Sequence, residues 1–499
     1  MSIRRQSIIS SVVIYIGFLI GLCNIYFFTK QGRFEEAQFG LYNAFIAIAT
    51  MMMAFANLAM PSYIYKFYPY YKDHLPEKKN DQLSVAFIVA GIGFLLVIGA
   101  GILFKGIVIR KYSANAKDIV TYYNWIFPLG FGLLVYAILE AYSWQLRKSV
   151  FTNFLKEVLW RLFVTVLIVL FTTGVINSFD LFIKLFSFSY PFIALVLLGY
   201  LAFTGKLHFT LSFSKVTRRY ARSIIRLCMF VFTGSMIFTV AQVFDSLVIT
   251  SVLTDGLDKL AVYSIAQNMV ALIQVPQRGI VSASISHLSQ AWKDKNMALI
   301  RKIYQRSSIN QLIFAACLFC LLVLNFTDAV NTFKLKGTYL DAYYVVIFLG
   351  LCKIVDMGTG VNSQIIATST WWRFEMVSGV VLIVFMLPLS YLLTKQFDIV
   401  GAGVAQLISI SIYNIVRIIF LWRKFKLSPF TIHTLQAVLL AGACYAACYF
   451  AFLNIHGLPG MFVRSITFLV FFAGGTIWLK LSPDIQPVLQ SLKKRFGMK

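Results

Sequence analysis

Long apolar runs, separated by short polar connections, recur along the whole chain. Each run approaches or exceeds the roughly 20 residues that an α-helix needs to cross a bilayer. The runs lack the strict alternation of a half-buried strand, so the pattern predicts helices throughout. We predict fourteen transmembrane helices, at residues 8–28, 40–65, 83–104, 120–146, 157–173, 181–203, 223–252, 261–287, 307–325, 340–369, 374–393, 400–422, 432–453 and 460–479.

The polar residues are too few to cover a soluble core. Hydrophobic residues make up 59% of the 499 positions, and charged residues make up only 13%. The first apolar run is followed directly by others and lacks a small-residue cleavage site, so we interpret it as a retained helix and not a cleaved signal peptide. The fold class that we expect is therefore an all-α integral membrane protein without a soluble domain.

The net charge of +26 is distributed unevenly between the two sides of the predicted membrane. With the amino terminus inside, the inner segments hold 28 Lys and Arg residues and the outer loops hold 10. This bias follows the positive-inside rule and explains the charge without nucleic-acid binding. It predicts that both termini are cytoplasmic. The outer loop 105–119 departs from the rule, and an amphipathic segment at the membrane interface would explain its basic residues.

Cysteine usage and loop lengths argue against a metal site and against an enzyme. All seven cysteines lie inside apolar runs, and the five histidines are scattered. Cys317 and Cys320 have the spacing of a redox motif, but in an apolar helix they are expected to pack as small apolar residues. We predict no disulfide and no metal. The chain has no P-loop, and no outer loop is long enough for the catalytic domain of a membrane glycosyltransferase. We expect no cofactor, apart from a transported H⁺ or Na⁺.

Two predicted helices begin with similar residues. The run FGLY at 39–42 follows a charged turn and opens the second helix, and the run LAVY at 260–263 does the same for the eighth. This match indicates two six-helix halves, the usual build of secondary transporters, which place the substrate site between the halves. We predict an N-terminal lobe at 1–205, a C-terminal lobe at 206–426, and two further helices with a cytoplasmic tail at 427–499.

Three short segments carry a resemblance to a known family. They are EAQFGLY at 36–42, NSQIIAT at 362–368 and FDIVGAGVA at 397–405. With fourteen spans, the chain resembles the multidrug/oligosaccharidyl-lipid/polysaccharide exporter superfamily, and within it the polysaccharide flippases. The resemblance implies a V-shaped pair of helix bundles around a central cavity that work by alternating access. The small residues at 401–405 also have a simpler explanation, because small side chains let helices pack closely.

Ionised side chains inside the bilayer mark candidate functional positions, because each costs about 2.5–3.5 kcal/mol on insertion scales. Arg278 and Lys353 are the deepest, about 26 Å and about 20 Å below the outer ends of their helices. We predict that both contact the substrate. Arg278 follows Pro276, which weakens the helix at that point. Arg417 lies nearer to an inner helix end, where it either contributes to the cavity or extends to the membrane surface.

Three carboxylates are the candidates for coupling transport to H⁺ or Na⁺. Asp245 lies about 10 Å below the outer end of the seventh helix, and burial would make its protonation near neutral pH accessible. Glu140 is nearer to the inner face, and its alternative role is an ion pair with Arg147 or with a neighbouring helix. Asp356 is three residues from Lys353 on one helix, so the two side chains either neutralise each other or together contact an anion.

Uncharged polar side chains extend the predicted substrate site. Gln267, Gln274 and Arg278 follow a seven-then-four spacing, so they share one face of the eighth helix. That face is too polar for lipid and must meet protein or water. The resemblance implies that the second and eighth helices form the wall of the cavity. Further predicted substrate contacts are Asn24, Asn57 and Asn362.

Two transport functions fit these residues. A flippase for an undecaprenyl-pyrophosphate-linked oligosaccharide would use the deep cations, since arginine can make a bidentate phosphate contact. It would supply repeat units for surface polysaccharide, lipopolysaccharide or O-antigen synthesis across the bacterial inner membrane. A Na⁺- or H⁺-coupled multidrug extruder of the same superfamily would instead favour an acidic cavity. The deepest positions are basic, so we favour the flippase. The expected partners are the lipid-linked oligosaccharide, membrane lipids, and polysaccharide polymerase or assembly proteins.

Overall fold

The computed structural model describes residues 3–32, 34–210 and 212–484. The side chains of residues 3–8, 10, 11, 278, 282, 283 and 286 lie outside that description. Most of the described residues are helical, and none of them lies in a strand. These observations confirm the all-α membrane fold.

The chain divides into two compact units, Met1–Ala261 and Val262–Lys499. The predicted lobe boundaries stay predictions. The helices described in the first unit are α1 (Ile3–Thr29), α2 (Glu36–Ala56), α3 (Met60–His74), α4 (Gln82–Leu103), α5 (Lys105–Tyr112), α6 (Lys117–Thr121), α7 (Ile126–Gln145), α8 (Ser149–Asn153), α9 (Trp160–Thr172), α10 (Phe179–Ser187), α11 (Ser189–Phe203) and α12 (Lys215–Val252). The unit boundary falls within the first of the remaining helices, which are α13 (Gly256–Ala271), α14 (Val275–Lys293), α15 (Met297–Thr332), α16 (Ala342–Gly358), α17 (Asn362–Thr368), α18 (Phe374–Phe425), α19 (Ile432–Ala451) and α20 (Gly457–Trp478).

All fourteen predicted segments correspond to helices, but some helices combine segments and others are broken. Among the described residues, ten helices are long and apolar enough to cross a membrane, or up to eleven if the bent pair α16 and α17 forms one span. The number fourteen therefore stays a prediction. The 52-residue α18 is too long for one crossing, since it would measure about 78 Å against a hydrocarbon core of about 30 Å. Its backbone leaves helical geometry at Phe397 and Asp398, between the predicted eleventh and twelfth helices.

The predicted second helix is broken in the middle of its apolar run. It ends at Ala56, and Leu58 (φ 45°) and Ala59 (φ 60°) adopt left-handed conformations before α3 begins. The Asn57 side-chain oxygen accepts a hydrogen bond from the Ala59 amide at 2.7 Å, and Pro61 lies in the first turn of α3. Each left-handed non-glycine residue costs about 1–3 kcal/mol, so the surrounding packing must hold this break in place.

Polar contacts fasten α12 to the rest of the first unit near its start. The Thr217 hydroxyl donates to Asp81 Oδ2 at 2.6 Å and lies 2.7 Å from the Tyr71 hydroxyl. The Ser214 amide donates to the same Asp81 oxygen at 2.8 Å. The Tyr71 hydroxyl is in turn 2.7 Å from that of Tyr63. This network joins the start of α12 to α3 and to the residue before α4.

A second set of contacts fastens the other end of α12. The Asn115 side chain donates to the Ser251 carbonyl at 3.1 Å, and the Gly256 amide donates to the Asn115 carbonyl at 2.8 Å. Asn115 belongs to the basic connection that departs from the positive-inside rule. The same connection exposes Ile107 beside Lys105, as expected for an interfacial segment. Its position at the membrane interface stays a prediction.

Candidate functional site

Polar and charged side chains form a cluster within the helices of each unit. We call the group in the second unit the Arg417 cluster, and it consists of Asp356, Thr359, Asn362, Glu375, Ser378, Tyr413, Asn414 and Arg417. We call the group in the first unit the Glu140 cluster, and it consists of Asn24, Glu140, Lys156, Glu157, Arg161 and Thr165.

The Arg417 cluster surrounds a break in the predicted tenth helix. Here α16 and α17 meet at an angle of 44°. Gly360 has a φ of 67°, and a Cβ at this position would lie 2.8 Å from the Ser307 hydroxyl, so both backbone and space require glycine. The Ser308 hydroxyl donates to the Gly358 carbonyl at 2.5 Å. α15 thus replaces a hydrogen bond that the broken helix has lost. Transporters commonly build substrate and ion sites at broken helices.

Three of the predicted site residues, Asp356, Asn362 and Arg417, meet at this break. Asn414 connects them, since its amide nitrogen donates to Asp356 Oδ1 at 3.2 Å and its oxygen accepts from Asn362 at 2.8 Å. Arg417 donates to the Asn362 side-chain oxygen at 3.4 Å. Thr359 lies at the centre of the group, where its hydroxyl accepts from Asn362 at 3.0 Å.

Arg417 is buried within the protein, with 2% of its surface exposed. Its guanidinium forms an ion pair with Glu375 and donates to the Ser378 hydroxyl at 3.1 Å. It also lies 3.8 Å from the centre of the Tyr413 ring. With these contacts in place, a phosphate would have to compete with Glu375 for the guanidinium. A role for Arg417 in substrate binding therefore requires the cluster to open.

α14 contacts the Arg417 cluster through Gln277, whose side chain donates to Asp356 Oδ2 at 3.4 Å. Lys353 is half-buried about one turn before Asp356. Among the described residues, Lys353 and Asp356 form no ion pair with each other. The Arg278 side chain lies outside the described residues, so its predicted proximity to Lys353 stays a prediction.

The predicted eighth helix changes geometry next to Pro276. A 3₁₀ turn at Leu272–Gln274 separates α13 from α14, and Pro276 lies in the first turn of α14. A proline cannot donate the backbone hydrogen bond that a continuous helix would need there. Gln267 and Gln274 are both partly exposed, and their roles as substrate contacts stay predictions.

The Glu140 cluster is built around a π-helical turn. This turn, Phe154–Leu159, joins α8 to α9 and carries Lys156 and Glu157. Lys156 Nζ lies 3.7 Å from Glu140 Oε2 on α7, and Arg161 of α9 lies 3.0 Å from Glu157. Glu140 is therefore paired with a neighbouring helical segment. Turns of this kind within helices are frequent at functional sites.

The other predicted site residues of the first unit have different surroundings. Asn24 couples α1 to α9, since its amide donates to the Arg161 carbonyl at 2.9 Å and its oxygen accepts from Thr165 at 2.7 Å. Asp245 is 1% exposed within α12. Asn57 caps the break after α2. Their predicted roles in binding and coupling stay predictions.

Four residues of the two clusters are not among the site residues predicted from the sequence: Lys156, Glu157, Glu375 and Asn414. The predicted fifth helix begins at residue 157, whereas the helical segment begins at Ser149, so Lys156 was assigned to an inner loop. Glu375 is the second residue of the predicted eleventh helix, 374–393. The signal that could have found Lys156, Glu157 and Glu375 is their position within one or two turns of the end of an apolar run, where a helix can extend beyond the hydrocarbon.

More than half of the chain matches the profile of one known protein family. The profile of the polysaccharide biosynthesis protein family matches residues 3–292. The chain belongs to this family. No curated protein sequence matches the chain significantly. The family match covers the whole Glu140 cluster and ends at the last turn of α14.

Several solved structures, a flippase and transporters among them, resemble this fold. A lipid II flippase, MurJ, in an inward closed conformation has a TM-score of 0.75 at 13% identity, covering 95% of this chain and 99% of that one. An inward-facing multidrug resistance MATE transporter of the MOP superfamily has a TM-score of 0.65 at 14% identity, covering 84% and 98%. A Vibrio cholerae MATE transporter has a TM-score of 0.54 at 13% identity, covering 85% and 96%. These likenesses confirm the superfamily fold that the sequence resemblance implied.

Proposed function

We propose that the chain moves an undecaprenyl-pyrophosphate-linked oligosaccharide from the cytoplasmic to the outer leaflet of a bacterial inner membrane by alternating access. The observation that carries this proposal is the match of residues 3–292 to the polysaccharide biosynthesis protein family. The fold shared with a lipid II flippase supports a lipid-linked substrate. The uneven distribution of basic residues supports cytoplasmic termini. Polysaccharide polymerase or assembly proteins would act on the translocated product.

The second unit offers a suitable place for the charged head of this substrate. Lys353 is half-buried, and it lies about two turns before the helix break at Gly360. A partly dehydrated cation is stabilised by an anion, and pyrophosphate supplies one. Arg278 would add a second cation from the neighbouring α14. The lipid tail would remain in the bilayer while the sugars follow the head group.

The alternative function is Na⁺- or H⁺-coupled multidrug extrusion. The observation that favours it is the likeness to MATE transporters, at a TM-score of 0.65. The two functions differ in the charge of the transported molecule, because the flippase moves an anionic lipid and a multidrug extruder moves mainly organic cations. Proteoliposomes that contain the purified protein can be offered either molecule, so one preparation distinguishes the two.

A labelled lipid-linked substrate tests the flippase directly. Proteoliposomes are loaded with a fluorescent undecaprenyl-pyrophosphate disaccharide, and a membrane-impermeant quencher reports its movement between leaflets. We expect the protein to accelerate this movement, and Lys353→Ala to slow it about 10-fold or more, since one charge-assisted contact contributes about 1.5–3 kcal/mol. The exposed Lys395→Ala is the control and should leave the rate unchanged. Transport of a cationic dye without movement of the lipid would favour the multidrug extruder. An unaltered rate in Lys353→Ala would remove this residue from the site.

Coupling to an ion gradient is tested at Asp245. We expect Asp245→Asn to abolish the stimulation of lipid movement by an imposed H⁺ or Na⁺ gradient, because an amide can neither release a proton nor bind a cation as a carboxylate does. Insertion into the membrane should be retained, since asparagine has nearly the same shape. The exposed Asp255→Asn in the same unit is the matched control. Full stimulation in the Asp245 variant would exclude this carboxylate from coupling and would shift attention to Glu140.

A further inference from the structure

A cavity of about 630 Å³ opens in the first unit where α7 ends. It is lined by Val13 of α1 and by Phe151 and Phe154, in and just after α8. Two consecutive cations, Arg147 and Lys148, line the same cavity from the turn between α7 and α8. Among the described residues that line the cavity, the charged ones are therefore all basic and the others are all apolar.

Backbone hydrogen bonds fix the conformation of this turn. Arg147 has a φ of 59°, and the amides of Arg147 and Lys148 donate to carbonyls in the last turn of α7 at 3.0 and 2.9 Å. This arrangement is a left-handed helix cap, which holds the two cations next to each other. Lys148 Nζ lies 5.7 Å from the centre of the Tyr200 ring, and the same ring is 4.2 Å from that of Phe151. The aromatic wall and the basic turn thus pack as one structure.

The apolar side of the cavity continues along the outside of α1. Val12, Ile16 and Leu19 are exposed there, at a four-then-three spacing that places them on one face of the helix next to Val13. A hydrated inorganic anion would gain nothing from such a surface. An occupant that uses both parts of the site has an anionic head joined to a hydrocarbon chain.

We propose that this cavity binds the phosphate head group of an anionic phospholipid, with one acyl chain along the exposed face of α1. The positive-inside distribution places this end of α7 at the cytoplasmic leaflet. Basic pockets between transmembrane helices on that side bind anionic lipid head groups. The site is separate from the Arg417 cluster and does not depend on the proposed substrate. A lipid bound here would hold the end of α1 against the turn between α7 and α8.

Native mass spectrometry of the full-length protein, titrated with phosphatidylglycerol or phosphatidylcholine, tests the proposal. We expect phosphatidylglycerol to remain bound and phosphatidylcholine to dissociate. The double variant Arg147→Gly/Lys148→Gln should weaken phosphatidylglycerol binding about 30-fold, since each basic residue near an anionic lipid contributes a factor of about 5. Glycine suits the positive φ of position 147, so this variant is expected to fold.

The matched control uses an equivalent turn in the second unit. Lys295 has a φ of 52°, and its amide donates to the Trp292 carbonyl at 3.2 Å, as in the turn at Arg147. Lys295→Gly/Lys293→Gln removes the same charge and should leave the affinity for phosphatidylglycerol unchanged within about 3-fold. If both double variants lose the same affinity for phosphatidylglycerol, general surface charge explains the effect and the proposal is overturned. Displacement of the lipid by millimolar inorganic pyrophosphate would also overturn it, because the site would then recognise a free anion.

Discussion

Replacing Arg417 with methionine is expected to lower the melting temperature of the purified protein by about 3–5 °C. The substitution keeps most of the side-chain volume but leaves the Glu375 carboxylate without its cation. Glu375 would retain only the Ser363 hydroxyl, which donates to it at 2.7 Å. Removing one member of a buried ion pair costs about 3 kcal/mol or more, because the remaining charge stays in a poorly solvated place. Differential scanning fluorimetry in detergent measures the shift.

Three further variants separate the ion pair from other effects of the substitution. Arg417→Met/Glu375→Gln removes both charges and should regain most of the lost stability, since no unpaired charge remains. Arg417→Lys should be intermediate, because an ammonium cannot reproduce the planar contacts with Ser378 and Tyr413. Arg423→Met changes an exposed arginine on the same helix and should have almost no effect. If the double variant is less stable than Arg417→Met alone, the ion pair does not explain the loss.

The stable double variant also separates structure from transport. If it moves the labelled lipid at the normal rate, the Arg417 cluster is a structural clamp at the helix break. If it is folded but inactive, the charges take part in the transport cycle, as the initial assignment of Arg417 to the substrate site predicts. The same preparation therefore tests both roles of one cluster.

Replacing Gly40 with alanine is expected to cost about 3 kcal/mol or more, and to lower the melting temperature by about 3 °C or more. A Cβ at position 40 would lie 1.8 Å from the Leu257 carbonyl oxygen, far inside van der Waals contact. Leu257 lies in the first turn of α13, and its carbonyl oxygen is backbone, so the clash can be relieved only by separating α2 from the start of α13. A larger destabilisation would instead reduce the amount of folded protein that can be extracted from the membrane fraction. Size-exclusion chromatography of the detergent extract measures this amount.

Gly91 provides the control for this substitution. It lies within α4 of the same unit, and a Cβ there would meet no atom within 4 Å. Gly91→Ala should leave the melting temperature unchanged or raise it slightly, because alanine favours helices by about 1 kcal/mol over glycine. A Gly40→Ala protein as stable as the Gly91→Ala protein would show that α2 and the start of α13 do not approach so closely.

The contact at Gly40 also brings carboxylates together. Burial, Glu36 and Asp255 raise the pKa of Asp258 above its ordinary value, while the Ala37 amide, which donates to it, opposes that shift. A carboxyl whose pKa is raised in the folded state favours folding when it is protonated. The contribution of Asp258 to the free energy of unfolding should therefore decrease as the pH rises above about 4, the ordinary pKa of an aspartate.

The sequence by itself determined where the helices are and what class of protein they build. A run of about 20 apolar residues must form a helix in a bilayer, because every backbone polar group has to be satisfied within the segment. This constraint is local, so all fourteen predicted segments correspond to helices. The weak point at Pro276 was predicted for the same reason, since a proline removes a hydrogen bond wherever it lies.

Only the tertiary structure decided which polar side chains meet. Asp356 is bonded to Asn414 and Gln277, which are 58 and 79 positions away along the chain. The π-helical turn at Lys156 and Glu157 packs so closely on α1 that a Cβ at Gly17 would lie 2.2 Å from the Glu157 carbonyl oxygen. Hydropathy reports how apolar a helix is, but it does not report the rotation, breaks and extensions that set its neighbours. For that reason the sequence predicts Arg417 as a site residue, but only the structure shows that Glu375 is its partner.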